Sequence, residues 1–167
     1  MGYWSDQIKK SAELAKEAHK GQVRWGGESY FNNHVEVVAE RCFHAYGSVA
    51  CVVGYLHDVV EDTSVTLAEL RSAGFHEDVI EGVDAMTKRY NAPESYAQYL
   101  ERLAKNPLAV KVKIVDIKHN RDDLIKTLIR EQTKRRKHDP VTAKYKQSRD
   151  KYEVALFFLA AIQHINS

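Results

Sequence analysis

His57 and Asp58 stand side by side at the end of an apolar helical run in residues 51–63, CVVGYLHDVVEDT. A neutral imidazole nitrogen and a neighbouring carboxylate are good ligands for a divalent first-row metal. Successive helical residues point about 100° apart, so one ion meets both only where the helix begins to unwind. Thr63-Ser64 supply a break soon after. Glu61 and Asp62 follow within one turn and could orient and deprotonate a water at such a metal. A second pair, His138-Asp139, serves as an internal control: it lies in a basic, polar stretch before Pro140, with no flanking acids and no apolar helix leading in.

Other residues gain meaning from this centre. Asp116 lies among Val110, Val112, Ile114, Val115 and Ile117, which cover much of a helix circumference and predict a central, buried helix. A carboxylate there is costly unless paired; its partner is Lys113 or Arg121 in an ordinary ion pair, or a metal. Asn120, one turn on, shares the face of Asp116 and could bind a polar group of a substrate or fix a ligand. His34 follows a loop and reads by itself as a capping or partly exposed histidine. Arg24 and Trp25 offer a cation for phosphate and a flat ring for a base; the alternative is a solvated arginine beside a tryptophan lid on the core. Lys88-Arg89 at a helix end reads as a complement to the helix dipole, ahead of a phosphate contact. His19, His44, His76, His119 and His164 lack ligand-like companions, and His119 reads as structural.

The elements that must position these residues are helical, with no convincing alternating strand. Ile8, Ala12, Ala15 and Ala18 mark a first amphipathic helix. Residues 20–33 form a glycine-bearing loop, and Asn32 or Asn33 is the expected cap of a second helix from His34 to Tyr46-Gly47. Ser48 is the expected cap of the third, which carries the His-Asp pair. Further helices begin at Thr66, His76, Ser95 and Asn106-Pro107, with a break at Asn91-Ala92-Pro93, and Asp139-Pro140 opens a last one reaching Ile165. The expectation is a compact all-α bundle of roughly seven to nine helices, with residues 1–167 forming one domain.

Composition narrows the class. The 167 residues carry 25 Lys and Arg against 23 Asp and Glu, a net charge of +2, which gives no strong pull toward nucleic acid or membrane. The basic run Lys134–His138 has no interleaved aromatics and reads as a solvated connector. The longest apolar run, Val154–Ile162, is too short to span a bilayer. Phe157, Phe158, Leu159 and Ile162 within it fit either the core or a subunit contact in a homo-oligomer. Cys42 and Cys51 fall in apolar helical patterns and read as small buried hydrophobes. No disulfide framework is expected, and a cytoplasmic protein is.

The order of four stretches, HKGQVRWGGESYFNNH (19–34), LHDVVEDT (56–63), MTK (86–88) and VKIVDIKHNRDDL (112–124), resembles the HD-superfamily metal phosphohydrolases. Within them it is most similar to the hydrolase domain of the RelA/SpoT alarmone enzymes and their small single-domain relatives. The resemblance implies an HD-domain bundle in which His34, His57, Asp58 and Asp116 bind one divalent ion, usually manganese in that family. Iron, cobalt or zinc would suit the same donors. It implies that Glu61 and Asp62 position and activate the attacking water, that Arg24 contacts the nucleotide, and that Asn120 lines the pocket. The implied reaction removes the 3′-pyrophosphate of guanosine tetra- or pentaphosphate. Departures fall at Trp25 and Gly26, where the family often has lysine and a small hydroxyl residue, at Val35 in place of proline, and at Asp123 in place of a hydroxyl residue. These alter base- and sugar-reading positions, so the alternatives are another nucleotide or phosphoester, or a module that binds without turnover.

Overall fold

A computed structural model describes residues 2–24, 27–89, 94–132 and 140–165, with side chains lacking for 131–145 and 165. Trp25, Gly26, the 91–93 break, the 134–138 basic run and the control pair His138-Asp139 lie outside the described residues or side chains. The described residues form nine α-helices and one π-helical turn: α1 (Tyr3–Ala18), the turn (Phe31–Val35), α2 (Glu36–Tyr46), α3 (Ser48–Leu56), α4 (Val59–Asp62), α5 (Leu67–Ser72), α6 (Glu77–Met86), α7 (Tyr96–Leu103), α8 (Pro107–Gln132) and α9 (Pro140–Ile165). The only strand-like pairing among them is an isolated bridge between Val23 and Ser29. The expected all-α architecture holds, and two caps differ from expectation.

The chain groups into two compact units, Met1–Lys113 and Ile114–Ser167, divided within α8. In the first, α3 is the hub and packs on α1, α2 and α6. Every residue from Ala50 to Leu56 is buried, as its nearly continuous apolar sequence requires; each such Val or Leu contributes about 1.5–3 kcal/mol. A Cβ on Gly54 would lie 2.8 Å from Ala39 Cα, so the missing side chain lets α2 and α3 meet backbone to backbone. Cys42 and Cys51 are buried and free, as expected.

Local chemistry sets the helix ends. Thr66 and Glu69 form a reciprocal capping box on α5, and Ser95 and Gln98 form one on α7. Ser48 does not cap α3. Gly47, with φ at +83°, ends α2 and precedes α3 directly, so Ser48 is already helical. Neither Asn32 nor Asn33 caps the second helix. The Val23–Ser29 bridge makes Ser29 the last extended residue, and its Oγ accepts the Asn32 amide at 3.3 Å. The chain is therefore helical from Tyr30, four residues before the expected start at His34.

In the second unit, the α8 residues Ile114, Val115, Asp116, Ile117, His119 and Leu124 are buried, as are Ala155 and Leu159 on α9. Arg121 faces Glu153 at 3.5 Å. Phe157 is 81% exposed, so the apolar tail of α9 is divided between buried Leu159 and an outward Phe157. No described helix is long and apolar enough to cross a membrane.

Candidate metal centre and its acid pair

His34 sits inside the π-helical turn, where the Glu36 amide donates to the Phe31 carbonyl five residues back. Such a widened turn is rare and recurs at functional positions. Here it directs Phe31, His34 and Val35 inward while Asn32 and Asn33 stay exposed. His57 ends α3 and Asp58 precedes α4, so the predicted unwinding at the His-Asp pair occurs. His34 Nε2 and His57 Nε2 are 3.2 Å apart in the interior. Asp58 Oδ2 lies 3.4 Å from the first and 3.0 Å from the second.

The second ring nitrogen of His57 explains the arrangement. His57 Nδ1 is 2.7 Å from the Gly54 carbonyl, which can only accept, so in the neutral ring the proton resides on Nδ1 and the Nε2 lone pair faces His34 and Asp58, whereas the protonated ring donates from Nε2 as well. Two nitrogens each about 2.1 Å from one ion, at an angle near 100°, stand about 3.2 Å apart. Burial pushes the Asp58 carboxyl up, yet the charges and hydrogen bonds of His57 and His34 outweigh it and hold the group well below the usual carboxylate range. Such a carboxylate stays ionised and available as a ligand. Tyr30 donates its hydroxyl to the same Oδ2 at 2.5 Å and fixes its direction.

Asp116 is 3% exposed on α8 and accepts the Asn120 amide at 2.6 Å. Asn120 therefore holds the Asp116 carboxylate in one direction. His34, His57 and Asp116 are residues that can hold a metal ion. Two imidazoles with carboxylates suit several divalent first-row metals.

The two acids beyond the pair differ. Glu61 accepts the backbone amide of Lys88 on Oε2 at 3.1 Å and the Lys88 ammonium on Oε1 at 2.5 Å. Asp62 is exposed by area, yet its carboxyl is pushed up to about 6. The largest cause is the protein that displaces water from its inner side, followed by the negative charges of Asp58 and Glu61; Lys88 and His57 oppose the shift.

Residues 22–24 and 27–30 fold back on this region. Gln22 donates to the Asp62 carbonyl at 3.1 Å, and its own carbonyl accepts the Tyr30 amide at 2.9 Å. Arg24 closes the turn through its backbone, donating to Glu28 and accepting from Gly27.

Three participants were not anticipated. The sequence alone gives Tyr30 no role of its own, and gives Lys88 that of a dipole complement ahead of a phosphate contact. His19 is buried, with Nδ1 at 2.9 Å from Gln22 Oε1 and its ring 5.1 Å from that of Tyr30. Burial, partly countered by the Gln22 hydrogen bond, lowers its pKa, and the charges of Asp58, His57 and His34 reach it. The stretches 19–34 and 86–88 were visible as units, but periodicity does not say which residue touches which.

No protein-family model matches the chain. A guanosine-3′,5′-bis(diphosphate) 3′-pyrophosphohydrolase of Spiroplasma citri is 33% identical over 123 residues, covering 68% of this chain and 16% of the relative. A GTP pyrophosphokinase of Myxococcus xanthus is 30% identical over 127 residues, covering 69% of this chain and 17% of the relative. The chain thus spans about a sixth of these relatives' length. A solved structure described as "A metazoan ortholog of SpoT hydrolyzes ppGpp and plays a role in starvation responses" matches with a TM-score of 0.70 at 22% identity, over 98% of this chain and 88% of that one. That match establishes the fold, an all-α helical domain. With the sequence relatives, it makes this chain a RelA/SpoT hydrolase-like domain.

Proposed function

We propose that the chain, acting as one domain over residues 1–167, is a divalent-metal-dependent phosphohydrolase of the cytoplasm. Its substrate is guanosine-3′,5′-bis(diphosphate), cleaved to GDP and pyrophosphate. The observation that carries this reading is a buried His34–His57–Asp58 donor cluster beside a pair of acids in unlike states. His34, His57, Asp58 and Asp116 would hold the ion, with manganese the proposed occupant. When bound, the ion supplies a Lewis acid for phosphate oxygens and makes water more acidic.

The protein's own groups divide the remaining work. Asp62, with its carboxyl near 6, is ionised at neutral pH yet basic enough to take the proton of the attacking water. The water oxygen bonds to the phosphorus attached to the ribose 3′-oxygen, that P–O bond breaks, and the 3′-oxygen leaves with a proton. Glu61, held by Lys88, orients the water. Arg24 would neutralise the phosphates, Trp25 would stack on the base, and Asn120 would hold Asp116 while lining the nucleotide site.

Purified protein with Mn²⁺ and the tetraphosphate is expected to release pyrophosphate and GDP in equal amounts. Absence of release with manganese, iron, cobalt or zinc across pH 6–9 would overturn this reading. A nucleotide and phosphoester panel run alongside identifies any other preferred substrate.

A further inference from the structure

Lys88 holds Glu61 through both its ammonium and its backbone amide, so the Glu61 carboxylate can be no better placed than residues 87–88. These residues form an extended segment just past α6, with Thr87 at φ −74° and ψ 124°. The last carbonyls of a helix lack intrahelical donors, and their negative dipole end attracts a cation. Both needs are met from α7. Arg102 Nη1 donates to the Ala85 carbonyl at 3.1 Å and reaches that of Asp84 at 3.4 Å, while Nη2 donates to the Thr87 carbonyl at 3.0 Å. Tyr99 donates to the Met86 carbonyl at 2.8 Å. Glu94 in turn holds the guanidinium, accepting from Nη2 at 2.6 Å and from Nε at 3.1 Å. One planar, five-donor side chain thus spans the end of α6 and the segment beyond it, a geometry that lysine cannot copy.

We propose that Arg102 is a positioning residue for the acid pair. By clamping the carbonyls of Ala85 and Thr87 it fixes Lys88, and through Lys88 it fixes the Glu61 carboxylate. The inference rests on the phosphohydrolase reading for its kinetic consequence only; the geometric consequence stands by itself. Arg102 has no contact with the His34–His57–Asp58 cluster among its hydrogen bonds, so its loss should disturb the acid pair and leave metal affinity alone.

The test compares wild type, Arg102→Met, Arg102→Lys and Lys88→Met as full chains. In Arg102→Met the Lys88 amide, followed by NMR, is expected to lose the downfield shift and slow hydrogen exchange that a carboxylate acceptor confers. The kcat should fall roughly 10- to 100-fold, as for other residues that orient a site from behind it, with KM and Mn²⁺ affinity by calorimetry unchanged. Arg102→Lys should recover only part of the kcat. Lys88→Met removes a half-exposed side chain and tests the same link should Arg102→Met fail to fold; it should lower kcat without lowering the melting temperature. An unchanged Lys88 amide in folded Arg102→Met would overturn the proposal. So would an unchanged kcat in Lys88→Met, or a loss of Mn²⁺ affinity parallel to the loss of rate. If wild type fails to turn over the guanosine substrate, the substrate reading falls, and the Lys88 amide in Arg102→Met or Arg102→Lys still decides the clamp.

Discussion

Asp58 and Asp62 are one helical turn apart in sequence and are driven in opposite directions. Asp58 faces two imidazoles, whose charges and hydrogen bonds hold its carboxyl well below the usual range despite burial, while a tyrosine hydroxyl fixes its direction. At Asp62 the loss of water on its inner side and the like charges of Asp58 and Glu61 outweigh the opposing Lys88 and His57, so it rises to about 6. The proposed ligand must keep its charge while the proposed proton acceptor must be able to lose it, and the two environments suit those duties. Pairs of titratable groups pushed apart by their surroundings mark acid–base assignments in active sites generally.

The most severe test of this contrast removes the ligand side. His57→Ala deletes the nitrogen that Gly54 aims; stoichiometric Mn²⁺ binding by calorimetry should vanish and turnover should drop below detection. Asp62→Asn attacks the other side. Metal binding should survive, kcat should fall roughly 100- to 10,000-fold, and the acid limb of the wild-type pH–rate profile, where activity declines as Asp62 becomes protonated, should disappear. Tyr30→Phe takes away only the hydroxyl on Asp58, and a loss of roughly 10- to 100-fold in metal affinity is expected.

The smallest effect concerns stability. Because the folded Asp62 carboxyl sits near 6 against an ordinary 3.8, the folded state holds a proton that the unfolded chain has released. That contribution is complete below the unfolded value and is lost as pH rises through about 6. Metal-free Asp62→Asn should therefore melt above wild type at pH 7–8 and level with it below pH 4, as thermal scans would show.

Much of this was legible in the chain. The apolar run 49–56 predicted a buried helix ending at the His-Asp pair, and α3 does end there. The crowding of Val and Ile around Asp116 predicted its burial, which is observed. The start of the second helix was misplaced because Ser29, Asn32 and Asn33 are all competent caps, and the choice fell to a backbone bridge between Val23 and Ser29. Lys88 was misread for a related reason. A lysine at a helix end is favourable whatever it touches, and its actual partner, Glu61, is 27 residues away.

The sequence by itself determined the helices, the break after Leu56 and the residue types able to hold a cation, because these follow from local periodicity, capping and ligand chemistry. Only the tertiary structure decided which nitrogen of His57 faces the cluster, that Tyr30 steers Asp58, and that Glu61 is held while Asp62 is left basic. Each of those outcomes depends on groups distant along the chain meeting within a hydrogen bond's length. Their separations are set by how α2 and α3 pack at Gly54 and how α6 ends against α7.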